Sequence, residues 1–412
     1  MSRSPCQTAR AGGGVRGGVR AWLMLCLGWV GLPVGALAAD GLVFDCRPAQ
    51  AAELPRAMAS YLRELGIDRS LVVQTRSADG VLAFTLDTAA SDTDTLTLAR
   101  RARLQIREAR VALPTSQGKV RHVKTVSRQE ILLALMQHGR QTRFSGAACN
   151  IAALREHVAL RQNIVAWVDE LHWIWPNGGS ATWNTALWDK GTPRRLDRLD
   201  AALLDAMSHQ SRYAIGCYTA AKLGFAQGVL DFYQRVLKSP AQAALVRERL
   251  LHDADPLVGI EPAATWAFEA DFDPATREHA GKLLSLRHGV PANNFVPGDW
   301  AYLLNTDPVS SQETGYEGSN AIYIGRGQFV DFYDDNRHSY TYEEKLDEVY
   351  QWRHGVFSRS RDAARAQPLT PADYNRLSAT PEQGGLLLDI RLTPFLFGHE
   401  VLPPLPKPAS AP

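Results

Sequence analysis

The spacing of apolar and polar residues indicates short helices and strands in the amino-terminal part of the chain. Residues 50–65 carry apolar side chains at helical spacing, whereas residues 71–75 and 81–86 have the composition of strands. Apolar residues stand at alternate positions through most of residues 96–106, which predicts further extended strand. Together these elements predict a small α/β module over residues 39–146.

A second region, residues 150–401, combines longer helical segments with strands that turn back on themselves. Asn150 is placed to cap a helix that reaches about residue 171, and another helix begins near Cys217. Residues 320–333 predict a β-hairpin that turns at Gly-Arg-Gly. The predicted fold class is therefore α+β, followed by a proline-rich, disordered tail at residues 402–412.

The first residues have the pattern of a targeting segment. Arginines precede an apolar run at residues 21–35, and the small residues Ala36 and Ala38 follow it. This order is typical of a secretory signal peptide, which we predict to be residues 1–38. The apolar run is short and is interrupted by glycine and proline, so it does not predict a membrane span in the mature protein. The mature protein is expected to be exported, to the periplasm or the extracellular space.

Composition and charge narrow the class of partner. The chain has 412 residues, of which 45% are hydrophobic and ten are tryptophan, so two or three domains and a sizeable core are expected. The formal net charge is only +2, which does not indicate a nucleic-acid partner.

Removal of the signal peptide would leave three cysteines. Cys46 and Cys149 bracket the amino-terminal module, and in an oxidising compartment we predict a disulfide between them. Closing a loop of about 100 residues stabilises a fold by up to ~4.7 kcal/mol in the chain-entropy model. Cys217 then has no cysteine partner, so it is either a nucleophile or an inert buried residue.

Cys217 stands where the sequence "YAIGCYTAAK" is predicted to begin a helix. The unpaired N–H groups and partial positive charge of a helix N-terminus lower the pKa of a thiol and favour the reactive thiolate. Gly216, immediately before it, permits a tight turn and the close approach of a substrate backbone. This arrangement is similar to that of papain-like hydrolases, whose nucleophile begins a helix packed on a small antiparallel sheet.

Four segments occur in a recognisable order: "LRQNIVAWVDELH", "YAIGCYTAAKLGFAQGVLDFY", "VPGDWAYLLNTDP" and "YEGSNAIYIGRGQFVDFYDDNRHSYTYEEKLDEV". Over about residues 152–359 the chain resembles the bacterial spore-coat transglutaminases, which are protein-glutamine gamma-glutamyltransferases of papain-like fold. The resemblance implies that Cys217 attacks the γ-carboxamide of a glutamine and releases ammonia. A lysine amine or water then resolves the thioester, so the implied partners are proteins bearing glutamine and lysine. No cofactor or metal is implied, and a spore-coat role does not carry over because the amino-terminal module and signal lie outside the resemblance.

The chain departs from the family at three positions. Gly216 stands where the family has an acidic residue beside the cysteine, and Ser319 stands where it has a second acidic residue. Phe332 replaces the family's histidine on the second hairpin strand. None of these side chains accepts a proton in place of the family residue, so the acid–base group must be sought elsewhere.

Nearby residues offer replacements. We predict Glu317 and His338 as catalytic partners of the cysteine, with Asp331 as a further candidate at the same end of the hairpin. An imidazole titrates near neutral pH, which suits the activation of a thiol.

Four residues are predicted to bind substrate. Trp183 belongs to the glycine- and tryptophan-rich loop at residues 172–184, where an exposed aromatic side chain often lines a groove. Asp299, Trp300 and Asn320 lie in the two segments of the resemblance that contain the predicted strands.

Three functions remain open at this point. The chain is a secreted transglutaminase, a papain-like amidase or peptidase acting on cell-wall peptides, or a binding module of the envelope that has kept the fold without catalysis. A reactive thiol at Cys217 separates the first two functions from the third.

Overall fold

The computed structural model describes residues 40–176, 181–251, 283–334, 339–357, 363–400 and 402. The predicted signal peptide lies outside the described residues, as does all of the predicted tail except residue 402. The helices are α1 (Pro48–Glu64), α2 (Leu98–Arg103), α3 (Arg128–Leu135), α4 (Ile151–Val168), α5 (Leu199–Ser208), α6 (Cys217–Asp231), α7 (Pro240–Leu251), α8 (Tyr342–Gln351) and α9 (Pro371–Leu377). None of the helices in these ranges is long and apolar enough to cross a bilayer.

Two larger sheets and two short ribbons organise the strands. The strands are β1 (Gly41–Asp45), β2 (Val72–Arg76), β3 (Leu82–Leu86), β4 (Ala109–Pro114), β5 (Val120–Thr125), β6 (Gln141–Ser145), β7 (Trp188–Asp189), β8 (Thr192–Pro193), β9 (Leu284–Arg287), β10 (Trp300–Leu304), β11 (Gly318–Gly325), β12 (Gln328–Val330), β13 (Ser339–Thr341) and β14 (Arg391–Pro394). The mixture of helices and mainly antiparallel strands confirms the predicted α+β class. The described residues belong to one compact unit, residues 39–412, within which a division near residues 146–150 stays a prediction.

The amino-terminal sheet has the strand order β2-β3-β1-β6, with β1 and β6 parallel and the other pairs antiparallel. Strand β1 is central and reads as a continuous apolar run, as expected of a strand covered on both faces. Phe44 from β1 stacks on Phe144 from β6, with ring centroids 5.1 Å apart. The predicted disulfide is present: Cys46 follows β1 and joins Cys149, just before α4, with Cα atoms 5.6 Å apart.

The prediction of extended strand through residues 96–106 is wrong, because the structure has helix α2 within this range. The helical sequence LARRAR contains only alanine, leucine and arginine, which are strong helix formers, and it has no β-branched residue. Leu104 then ends the helix and is buried. The alternating apolar pattern was too short to outweigh these local preferences.

The second sheet has the order β13-β12-β11-β10-β14-β9 and all its pairs are antiparallel. The predicted hairpin is β11 and β12, and its turn places Arg326 at φ 62° and Gly327 at φ 75°. Gly325 and Gly327 adopt left-handed angles at little cost, whereas Arg326 takes a conformation that is uncommon for a residue with a side chain. Strand β11 is buried along its whole length because neighbours cover it on both edges and both faces.

Helices α4 and α6 pack closely beside this sheet. Asn150 caps α4 as predicted, since its side chain accepts a hydrogen bond from the backbone N–H of Ala153 at 2.8 Å. Gly228 of α6 faces Ile164 of α4, and a Cβ at position 228 would lie 2.8 Å from the Ile164 Cα. The glycine therefore allows the two helix backbones to approach. This packing orients the N-terminus of α6, where Cys217 lies.

Candidate active site

Cys217 is the first residue of α6. Gly216 caps the helix in an extended conformation, with φ −73° and ψ 166°. The cysteine is half-buried and lies outside the disulfide, which joins the other two described cysteines. The predicted position of the thiol at a helix N-terminus is confirmed.

The thiol faces a narrow cleft, which we call the thiol cleft. Its walls come from the start of α6, the hairpin β11–β12 and helix α8. Its lining includes Trp175, Cys217, Ser319, Asn320, Asp331, Phe332, Tyr333, Lys345, Glu348 and Trp352. A nucleophile in a cleft with aromatic and polar walls fits the attack on a side chain that enters from the surface.

The side chain of Asn320 forms a hydrogen bond with the sulfur of Cys217. Its Nδ2 donates to the Sγ of Cys217 at 3.4 Å, and its Oδ1 accepts from the Nε1–H of Trp300 at 2.9 Å. Because an indole nitrogen only donates, it fixes the amide with oxygen toward Trp300 and nitrogen toward the thiol. Trp300 is fully buried and stacks on Phe225 of α6, with centroids 5.9 Å apart. The structure thus brings two predicted binding residues, Asn320 and Trp300, to the nucleophile.

The three departures from the family also lie around the thiol. Gly216 is the cap before Cys217, and Ser319 and Phe332 line the thiol cleft. The backbone carbonyl of Phe332 accepts a hydrogen bond from the N–H of Trp173 at 2.8 Å, which anchors this end of the hairpin. These positions therefore surround the thiol as the resemblance implies, but their side chains supply no carboxylate or imidazole.

The structure does not bring Glu317 to the cleft. Glu317 is exposed, and its carboxylate accepts a hydrogen bond from the backbone N–H of Gly315 at 3.0 Å. His338 lies outside the described residues. Asp331 is buried and lines the thiol cleft. The catalytic roles of Glu317 and His338 stay predictions.

The other predicted binding residues lie within the core. Trp183 packs against Trp188 and Tyr213, with ring centroids 5.1 and 5.9 Å away. Asp299 is fully buried, bound by Arg140 and by Arg161, whose Nη1 lies 2.9 Å from the carboxylate. The packing gives both residues a structural role, and their substrate-binding roles stay predictions.

The environment of Asp299 explains its charge. Burial opposes ionisation of the carboxyl, but the nearby charges of Arg140 and Arg161 outweigh that effect and lower the pKa of Asp299 to about 2. The backbone N–H of Val296 donates to the same carboxylate at 2.8 Å. His157 lies beside Arg161, and burial together with that positive charge holds the pKa of the imidazole well below its ordinary value.

Two charged residues of the cleft were missed by the sequence analysis. The Nζ of Lys345 lies 2.6 Å from Oε2 of Glu348, and each side chain is only 5% exposed. Tyr342, Lys345, Leu346 and Val349 follow the i, i+3, i+4, i+7 spacing of the buried face of α8. The sequence did contain a signal: Lys345 occupies one of these four apolar-face positions. Because charged residues are rarely buried without a partner, a lysine there indicates a buried ion pair.

A cysteine at a helix N-terminus that faces an antiparallel hairpin defines a cysteine-dependent, papain-like acyl-transfer site. Residues 105–334 match the family model described as protein-glutamine gamma-glutamyltransferase. Since the match spans more than half of the 412 residues, the chain belongs to the protein-glutamine gamma-glutamyltransferase family.

The chain was also compared with solved structures. The chain is similar to the transglutaminase from Geobacillus stearothermophilus without its C-terminal extension, at 18% identity and a TM-score of 0.34. The likeness covers 59% of this chain and 93% of that one. No curated protein matches the chain at a significant level.

Proposed function

We propose that this chain is an exported enzyme that transfers the γ-glutamyl group of protein-bound glutamine to a lysine amine, or to water. The observation that carries the proposal is Cys217 at the start of α6, with the amide of Asn320 on its sulfur, in a member of the transglutaminase family. The disulfide between Cys46 and Cys149 supports export, because such bonds persist in oxidising compartments.

The reaction has two halves. In the first, the Cys217 thiolate attacks the γ-carboxamide carbon, the C–S bond forms, the C–N bond breaks and ammonia leaves with an added proton. In the second, an amine or a water molecule attacks the thioester, loses a proton and releases the thiol. The helix N-terminus and the Asn320 N–H stabilise the negative sulfur in both halves. The outcome is an isopeptide crosslink with an amine and deamidation with water.

The enzyme is tested by two products measured together. Purified mature protein is incubated with a glutamine-rich protein and a fluorescent primary amine, while ammonia release is followed in parallel. The proposal expects both signals, and it expects Cys217→Ala to abolish them. Ammonia without incorporated amine would identify water as the acceptor and favour the amidase alternative.

Alkylation separates an enzyme from a binding module. Without reductant, Cys46 and Cys149 are held in the disulfide, so iodoacetamide labelling of the folded mature chain reports Cys217 alone. Rapid labelling near neutral pH is expected of an active thiolate. A thiol that resists labelling, in a protein that releases no ammonia, would contradict the proposed activity. Export is tested separately, by sequencing the amino terminus of the secreted protein, which is expected to begin at Ala39.

A further inference from the structure

Helix α8 forms one wall of the thiol cleft. Lys345, Glu348 and Trp352 all line the cleft, and their spacing of three and then four residues places them on one face of the helix and its continuation. Thr341 caps α8 in a capping box with Glu344, which fixes where the helix begins. Strand β13 leads directly into α8 and pairs with β12 of the hairpin. The face with Lys345 and Glu348 is thus held against the hairpin that faces Cys217.

The ion pair on this face is costly to bury. An ammonium and a carboxylate lose their hydration when they are buried, and apolar residues of similar volume are often at least as stabilising in their place. Lys345 is further held over the ring of Tyr340, 4.5 Å from its centroid. Lys345 and Glu348 belong to one helix, so the bond between them is a local contact within α8. The pair is nevertheless buried in the wall of the cleft that holds the nucleophile.

The proposed reaction requires an acid–base group at this place. Transfer from glutamine needs a group that takes the thiol proton and returns a proton to the departing nitrogen. Gly216, Ser319 and Phe332 cannot supply it. Among the described residues that line the cleft, Asp331 and Glu348 carry carboxylates, and the carboxylate of Glu348 is held by the ammonium of Lys345.

We propose that Glu348 is the general base and general acid for Cys217, and that Lys345 holds its carboxylate in place. This inference rests on the proposed function. Glu348 lies after residues 105–334, so the match to the family model does not include it. The acid–base role has moved from the positions around the cysteine and hairpin to helix α8.

Each proton has a place in this scheme. Glu348 accepts the thiol proton, the resulting thiolate forms the C–S bond, and Glu348 then donates that proton to the nitrogen as the C–N bond breaks and ammonia leaves. The acceptor amine or water next gives a proton to Glu348 as it attacks the thioester. That proton passes to the sulfur as the C–S bond breaks, which restores the thiol and the carboxylate.

The main test compares Glu348→Gln with Glu343→Gln, which makes the same chemical change on the exposed side of α8. Loss of a general base lowers a rate by about 100- to 10,000-fold, so ammonia release should fall by that factor in Glu348→Gln. It should be unchanged in Glu343→Gln. Equal rates in the two variants would overturn the inference, as would a loss found in Asp331→Asn or His338→Ala but not in Glu348→Gln.

The pH dependence of alkylation supplies a second readout that needs no turnover. Replacing Glu348 by Gln removes a negative charge near the thiol, so the labelling midpoint of Cys217 should move to lower pH even though turnover is lost. Lys345→Met should move the midpoint to higher pH. Midpoints that match wild type in both variants would overturn the inference. If wild type shows no turnover, the proposed function fails, and these midpoints still decide whether Glu348 and Lys345 act on the thiol.

Folding is controlled by the double variant Lys345→Met/Glu348→Gln, which removes both charges of the ion pair, with circular dichroism as the check. We expect it to fold and to lack turnover, with a labelling midpoint between those of the single variants. A folded double variant that retains wild-type turnover would contradict the role of Glu348.

Discussion

Two groups of buried charges lie in the same compact unit and have different surroundings. Asp299 is bound by Arg140 and Arg161, with side-chain exposures of 0%, 3% and 1%. Lys345 and Glu348 pair within α8, each 5% exposed, and they line the thiol cleft. Depth of burial is similar in both groups, so burial alone does not distinguish a structural cluster from a site.

What distinguishes them is which parts of the chain they join. Asp299 lies 159 residues from Arg140 and 138 from Arg161, so its ion pairs connect the amino-terminal region, helix α4 and the turn before β10. Lys345 and Glu348 are three residues apart, and their ion pair lies within one helix. The first group holds the fold together, whereas the second exposes a titratable carboxylate to a nucleophile.

The largest effect is expected on the free energy of unfolding when Asp299 is replaced. Asp299→Asn leaves two buried arginines without their counter-charge, and breaking a buried ion pair costs about 3–5 kcal/mol of unfolding free energy. Urea unfolding measures the loss, with the exposed Glu343→Gln as the matched control. A change below about 1 kcal/mol would show that the cluster is not structural.

The pH dependence of stability also tests the structural role of Asp299. The folded pKa of Asp299 is about 2, below its ordinary value of 3.8, so the carboxylate stabilises the fold fully above the ordinary value. The contribution is lost as the pH falls through the range between those two values. The stability difference between wild type and Asp299→Asn should therefore be constant from neutral pH to about 4 and shrink below it. A difference that already declines between pH 7 and 5 would contradict this assignment.

The disulfide between Cys46 and Cys149, like the ion pairs of Asp299, is expected to stabilise the fold rather than to act at the site. The bond spans 103 residues, and removal of a native disulfide typically costs about 2–5 kcal/mol. Cys46→Ala/Cys149→Ala should lower the melting temperature and leave the alkylation rate of folded Cys217 unchanged. A slower thiol in the folded double variant would connect the amino-terminal region to the site itself.

A smaller effect, on the rate of the reaction, is expected when Asn320 of the thiol cleft is replaced. Its N–H donates to the cysteine sulfur, and a hydrogen bond to a charged group contributes about 1.5–3 kcal/mol, or roughly 10- to 150-fold in rate. Asn320→Ala should lower ammonia release by such a factor and shift thiol labelling to higher pH. Unchanged labelling would show that the amide does not stabilise the thiolate.

The smallest effect is expected at Trp300. Trp300→Phe keeps an aromatic ring against Phe225 but removes the N–H that orients Asn320. A neutral hydrogen bond contributes about 0.5–1.5 kcal/mol, so turnover should fall only a few-fold to about tenfold. A loss as large as that of Asn320→Ala would mean that Trp300 also contacts substrate, as the sequence analysis predicts.

Local features were predictable because they depend on adjacent residues. The turn of the hairpin follows from two glycines around Arg326, and the cap of α4 follows from Asn150 three residues before Ala153. Cys217 at a helix start and the disulfide between Cys46 and Cys149 were likewise within reach of pattern and cysteine arithmetic. Helix α2 was mistaken for a strand because a short alternating pattern competes with helix propensity.

The contacts that make the site were beyond such reasoning. Asn320 and Cys217 are 103 residues apart, and nothing in either segment specifies that the amide nitrogen faces the sulfur until Trp300 binds its oxygen. The residues around Glu348 are those of a helix exposed to solvent. The packing of α8 against the hairpin is what places Glu348 in the lining of the cleft. Side-chain burial and long-range hydrogen bonds arise from the packing of distant segments, whereas turns and caps arise from neighbouring φ and ψ angles.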